Sequence, residues 1–213
     1  MRTMLKMLIL LFLKMYPNCF GQSGYNSAIV ILDPGHGGLD SGAVGAHGGH
    51  EKSIVFQVAK EMVRLNQEIY GRPLEIYLSR YSDTLISLDD RIRLTRTLHP
   101  RVFVSIHCNQ APSAGAQGVE VFVPRGKGKF SKESMSLATE IGQNLNQYLG
   151  MRFRGVKAAN FQVLRGTVPI CPSVLVELGF LSNGVEADHM KKVESLTGFA
   201  LALLNTLITI YHE

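Results

Sequence analysis

Cysteine is scarce in this sequence of 213 residues, long apolar runs are missing, and the glycine signatures of nucleotide binding do not occur. Three cysteines are too few for a disulfide framework. A chain of this length buries roughly 70% of its unfolded surface, so its core needs neither disulfides nor a structural metal. The apolar run Met7 to Leu13 is seven residues long, against the ~20 that a membrane-spanning helix requires. No G-x-G-x-x-G or P-loop pattern fits the glycines from Gly35 to Gly49. No serine sits in a G-x-S-x-G elbow. Internal repeats, low-complexity tracts and separating linkers are also lacking. A hydrophobic share of 46% excludes an intrinsically disordered chain.

Glycine, by contrast, is abundant. The 21 glycines make up about 10% of the chain against a usual ~7%, which hints at a site built from backbone. The formal charge of +5 raises nucleic acid as a partner, but three of the 22 basic residues, Arg2, Lys6 and Lys14, lie in residues 1–21. That segment has a basic start, an apolar centre and small residues Cys19 and Gly21 before a possible cut, the layout of a secretory signal peptide. An uncleaved interfacial anchor is the other reading, since the apolar run is short and Lys14 closes it. Cleavage after Gly21 leaves 19 basic residues against 17 acidic, a charge of +2, and the nucleic-acid partner loses its support. The expectation is a signal peptide over 1–21, one domain over 22–213 with no stable membrane span, and export to the periplasm or the outside of the cell.

Apolar spacing and breakers divide the rest into alternating elements. Strands are expected at Ala28 to Leu32, Leu74 to Leu78, Val102 to Ile106, Gly118 to Val123, Phe161 to Leu164 and Val174 to Leu178. Helices are expected from Lys52 to Tyr70, from a Ser87 cap to Leu98, from Ser131 to Leu149 and from Val193 to Tyr211. Such alternation predicts an α/β domain on a largely parallel sheet.

In sheets of this kind ligands sit beyond the carboxyl ends of the strands. The first strand runs into His36 and the third into His107, a late strand carries Glu177, and Glu51 opens a helix just past the glycine loop. Two histidines and two carboxylates suit a catalytic zinc, which takes three protein ligands and leaves a place for water. The remaining carboxylate can then move that water's proton. A lone histidine at a strand end is more often a polar loop residue, and on spacing alone both readings stand.

The segments Ile31 to Gly38, Glu51 opening a helix, Ser105 to Asn109, Gly118 to Val121, Arg154 to Lys157 and Leu175 to Asn183 together resemble the zinc-dependent N-acetylmuramoyl-L-alanine amidases of bacterial cell walls, the amidase-3 catalytic domain. The likeness runs in order from about Ile29 to Tyr211. It implies a twisted, mixed sheet of about six strands with helices on both faces. It further implies Zn2+ held by His36, Glu51 and His107, Glu177 as general base and acid, and peptidoglycan as substrate. The reaction implied is hydrolysis of the amide between N-acetylmuramic acid and L-alanine. Asn109 is a candidate for orienting a ligand or binding substrate. Some relatives plug the zinc site with a long helical insertion after the Gly-Val-Glu-Val strand; here only Pro124 to Phe130 follow, which leaves the site open.

Rival readings remain at this point. A wall- or metal-binding protein without catalysis would use the same residues. Cys108, where the family more often has alanine, could be a nucleophile, but strand alternation turns it away from the face of His107 and favours a small buried hydrophobe. Cys171 lies too far along its strand to bridge Cys108. His47 or His50 could replace Glu51 as ligand. His99, His189 and His212 fall on polar segments and are expected in solvent. Arg80, Arg91 and Arg93 could meet substrate carboxylates, although such charges usually lie on solvated faces.

Overall fold

The alternation of short β-branched runs with amphipathic stretches produces six strands and six helices in the computed structural model, which describes residues 28–71 and 73–211. The expected signal segment and His212 lie outside the described residues. In chain order the elements are β1 (Ala28–Pro34), α1 (Glu51–Glu68), β2 (Leu74–Leu78), α2 (Leu88–Leu98), β3 (Val102–Asn109), β4 (Val119–Pro124), α3 (Ser131–Leu149), β5 (Phe153–Ala159), α4 (Gln162–Thr167), β6 (Ser173–Phe180), α5 (Gly184–Met190) and α6 (Val193–Tyr211).

The six strands form one sheet in the order β2-β1-β3-β6-β4-β5. The first four are parallel to one another, whereas β4 runs antiparallel to β6 and parallel to β5. The last strand in sequence thus fills the middle of the sheet. Because side chains alternate across a strand, Val30, Leu32, Val104, Ile106, Val174 and Val176 bury against α1, α3 and α6 on one face. Their neighbours Ile31, Phe103 and Leu175 form a smaller core on the other face with Val163 and Leu164 of α4. Leu94 and Leu98 of α2 pack against that core.

Helix ends follow their local chemistry. The Ser87 hydroxyl accepts from the Asp90 N–H at 3.1 Å and caps α2. Ser131 does not cap α3: Phe130 stands at that position, and the Ser131 hydroxyl accepts from Gly128 N instead. The helix α6 is 19 residues long, with a mean hydropathy of 1.6. By length and composition it could cross a membrane, yet 61% of that window is buried here, packed on α1 and α3.

Three local expectations differ from the structure. Phe161 to Leu164 belongs not to a strand but to the entry of α4, where Val163, Leu164 and Thr167 are buried at helical spacing. A four-residue apolar run cannot distinguish the two periods. The strand β5 was not expected, because an edge strand with alternate residues in solvent carries little apolar signal. The seven-residue α5 was likewise not expected; its signal is the Asn183 side chain accepting from Glu186 N at 3.1 Å.

Candidate metal centre

Parallel strands deliver their carboxyl ends to one edge of the sheet, and the antiparallel β4 delivers its beginning there. His107 of β3 pairs with Glu177 of β6, and Glu177 pairs in turn with Glu120 of β4. The loop after β1 brings in His36, and the first turn of α1 supplies Glu51, whose charge suits a helix N-terminus.

His36, Glu51 and His107 each offer one ligand atom, and these atoms lie within 4.8 Å of one another. Glu51 Oε1 is 3.1 Å from His36 Nε2 and 2.8 Å from His107 Nδ1. It also accepts from the Cys108 N–H at 3.0 Å, while Oε2 accepts from the Ala43 N–H at 2.8 Å. The other His36 nitrogen, Nδ1, lies 2.8 Å from Asp40 Oδ2, the outer contact that commonly fixes a metal-binding imidazole. Two imidazoles and one carboxylate around a common point form a suitable donor set for zinc.

The electrostatics agree with this geometry. Hydrogen bonding to Glu51 raises His36 to about 9 against the opposing effect of burial. Burial works against the Glu51 charge, but the hydrogen bonds from His107 and His36 outweigh it and hold the carboxyl well below the usual carboxylate range.

Glycine lets these side chains converge. A Cβ on Gly35 would collide with the His107 ring, 2.2 Å from Cε1 and 2.5 Å from Nε2. A Cβ on Gly42, where φ is +64°, would meet Glu51 Oε2 at 2.5 Å and His36 Cδ2 at 2.6 Å. His36 itself has φ +59°, a left-handed conformation uncommon for a residue with a side chain.

Two buried arginines hold that turn. Arg91 pairs with buried Asp33 and donates to the carbonyls of Pro34 and His36, each at 3.0 Å. Arg80 donates to Pro34 O at 3.1 Å, Gly35 O at 3.0 Å and Lys52 O at 2.7 Å. Both are 3% exposed, so neither lies on a solvated face. They secure the backbone under His36, a role that the sequence reading missed. The available signal was the spacing of Arg91 with Ile92 and Thr95, the buried stripe of α2.

Glu177 stands beside the ligand group. Its Oε2 is buried and has no hydrogen-bond partner among the described residues. Burial raises the carboxyl to about 7, near the value at which a base can both take and return a proton in neutral solution. The Asn109 side chain hydrogen-bonds elsewhere: its Nδ2 donates to Glu120 Oε2 at 3.0 Å and its Oδ1 accepts from Gln110 N at 2.8 Å.

The remaining candidates lie elsewhere. Cys108 is 3% exposed, its Sγ is 3.7 Å from Met190 Sδ, and burial pushes its thiol far above the range of a nucleophile. Cys108 and Cys171 are both free and belong to the cores on opposite faces of the sheet. His47 pairs with Asp188 at 3.0 Å, and His50 is exposed at the cap of α1. His99 is exposed, whereas His189 is partly buried, with Nδ1 3.2 Å from Ser195 Oγ and its ring on Phe199.

Residues 30–208 match the family described as N-acetylmuramoyl-L-alanine amidase. The amidase LytC of Bacillus subtilis is 34% identical over 182 residues, 85% of this chain and 35% of LytC. The amidase AmiA of Salmonella typhimurium is 28% identical over 225 residues, 86% of this chain and 76% of AmiA. This chain therefore spans about a third of the one relative and three quarters of the other. The catalytic domain of the amidase CwlV from Bacillus (Paenibacillus) polymyxa var. colistinus superimposes with a TM-score of 0.76 at 30% identity, over 86% of this chain and 97% of that domain.

Proposed function

The chain belongs to the N-acetylmuramoyl-L-alanine amidase family, and from that premise we propose that it cleaves the amide between N-acetylmuramic acid and L-alanine in peptidoglycan, using zinc held by His36, Glu51 and His107. The observation that carries this reading is the convergence of those ligand atoms within 4.8 Å beside a carboxyl whose Oε2 has no partner. When bound, zinc supplies Lewis-acid polarisation of the scissile carbonyl and acidifies the attacking water.

Glu177 is the group that moves the proton. Its free Oε2 takes a proton as the water's oxygen bonds to the carbonyl carbon. It then gives that proton to the nitrogen of L-alanine as the C–N bond breaks. The products are a lactyl carboxylate on the glycan and a stem peptide with a free amino terminus. Asp40 holds the His36 ring, and Arg80 and Arg91 hold its backbone, so the imidazole meets the ion in a fixed orientation.

The substrate lies outside the cytoplasmic membrane, and in this reading residues 1–21 direct the domain of residues 22–213 to it. Between the end of β4 and the start of α3 there are only residues 125–130, too few for the long helical insertion with which some relatives plug the site. Activity is therefore expected without an activator.

Mass spectrometry of purified sacculi incubated with the zinc-loaded protein tests the assignment. The expected products are stem peptides beginning with free L-alanine, absent with chelated protein. Sacculi that stay intact, or that yield glycan-cleaved fragments, would overturn it.

A further inference from the structure

Glu177 separates two unlike groups. On its β3 side lie His107 and the proposed ligands; on its β4 side lies Glu120, which is 3% exposed. Glu120 Oε1 accepts from Arg154 Nε at 2.6 Å and from Lys157 Nζ at 2.5 Å, both on the edge strand β5. Its Oε2 accepts from Asn109. Burial works to raise the Glu120 carboxyl, but Lys157 and Arg154 outweigh it and keep it ionised. Two cations thus share this one carboxylate.

Both cations are accessible. The Lys157 side chain is 43% exposed and that of Arg154 31%. The Arg154 guanidinium lies 5.1 Å from the centre of the Phe180 ring and donates from Nη1 to Gln117 O, which fixes its plane. Among the described residues Glu120 is the one hydrogen-bond partner of Lys157, so two of its three N–H bonds are uncommitted.

Resting on the amidase reading, direction supplies the occupant. Glu177 can protonate the leaving nitrogen only if that nitrogen faces it, with the scissile carbonyl on the metal side. The stem peptide then continues past Glu177 toward β4 and β5. Adjacent strands are about 4.8 Å apart, so β5 lies roughly 10 Å beyond β6. The lysine and arginine reach back from β5 toward Glu120. A carboxylate on the residue after L-alanine sits within about 7 Å of the scissile nitrogen, two residues of an extended chain at ~3.5 Å each.

We propose that Arg154 and Lys157 form the subsite for a free carboxylate on the second residue of the stem peptide, so that the enzyme prefers an acidic second residue to its amidated form. Glu120 and Asn109 are positioning residues in this device: they hold the two cations at the height of the peptide.

The test compares N-acetylmuramoyl-L-alanyl-D-isoglutamate with its isoglutamine counterpart, which differ only in a carboxylate against an amide. The zinc-loaded wild-type protein should show a kcat/KM ratio of about 10 to 100 in favour of the carboxylate, the worth of one charge-assisted hydrogen bond. In Lys157→Met the ratio should fall toward one, chiefly through KM, and Lys157→Arg should restore it. Lys127→Met, on the exposed loop between β4 and α3, should keep the wild-type ratio and so exclude a general charge effect. A wild-type ratio near one, or a ratio unmoved by Lys157→Met, would mean that the cations only neutralise Glu120 and would overturn the proposal. Failure to cleave either compound or sacculi would instead overturn the amidase reading.

Discussion

Replacing Glu177 by glutamine should make the metal-free protein more stable while removing its activity, and the gain should depend on pH. Burial raises the Glu177 carboxyl from 4.5 to about 7. Between those values the folded protein holds a proton that the unfolded chain has released. Folding therefore takes up a proton, and stability falls as pH rises from about 4.5 to about 7, then levels off. A shift of about 2.5 units corresponds to roughly 3 kcal/mol. Glutamine has nearly the same shape and does not titrate, so the difference between Glu177→Gln and wild type isolates this effect. The variant's advantage should grow by about 2–3 kcal/mol between pH 5 and pH 8. For a domain of this size that is roughly 5–10 °C in Tm. The assay is thermal or urea unfolding of both proteins after chelation, across that range. Hydrolysis by the zinc-loaded variant should fall about 10²–10⁴-fold. A stability difference that does not change with pH would refute the claim that Glu177 is held in an environment hostile to its charge. A variant that cleaves sacculi at the wild-type rate would refute its role as the proton carrier.

Two further outcomes follow from the same centre. Arg91→Met removes the partner of buried Asp33 and two donors from the turn at His36; by urea unfolding it should cost about 3–5 kcal/mol, and by competition with a chromophoric chelator it should weaken zinc binding, whereas unchanged zinc affinity would separate the arginine from the site. Zinc must displace the proton that His36 holds up to about pH 9 in the metal-free protein, so affinity should rise up to about tenfold per pH unit below that value; an affinity flat from pH 6 to pH 8 would contradict the Glu51–His36 contact.

Much of this was legible in the sequence because it rests on short-range rules. Ile31 and Leu32 running into Pro34-Gly35 mark a strand end, Ser87 marks a helix start, and Gly150, at φ +67°, marks a helix end. The alternation of elements sufficed for a largely parallel sheet, and that architecture gathers strand ends on one edge. What escaped notice depends on contacts far apart in the chain. Arg80 and Arg91 read as surface charges because their acceptors, the carbonyls of Pro34, Gly35 and His36, lie 45 to 57 residues away. The edge strand β5 carries Arg154 and Lys157 on a sequence with little apolar alternation, since half of an edge strand faces water. The loop glycines were visible as a surplus, but the reason for Gly35, the imidazole of His107 resting on it, exists only once β1 and β3 are paired.

The position of β6 ties the proposed catalysis to the last strand of the chain. His36, Glu51 and His107 all lie within residues 1–107, in the loop after β1, in the first turn of α1 and on β3, and β2, β1 and β3 adjoin in the sheet. β4 and β5 pair on the other side, and β6, the last strand in sequence, lies between β3 and β4 and joins the two parts. Glu177 belongs to that joining strand. On the proposed roles, a chain lacking β6 would keep the three candidate ligands and lose the proton carrier, so cleavage would require the last strand in place.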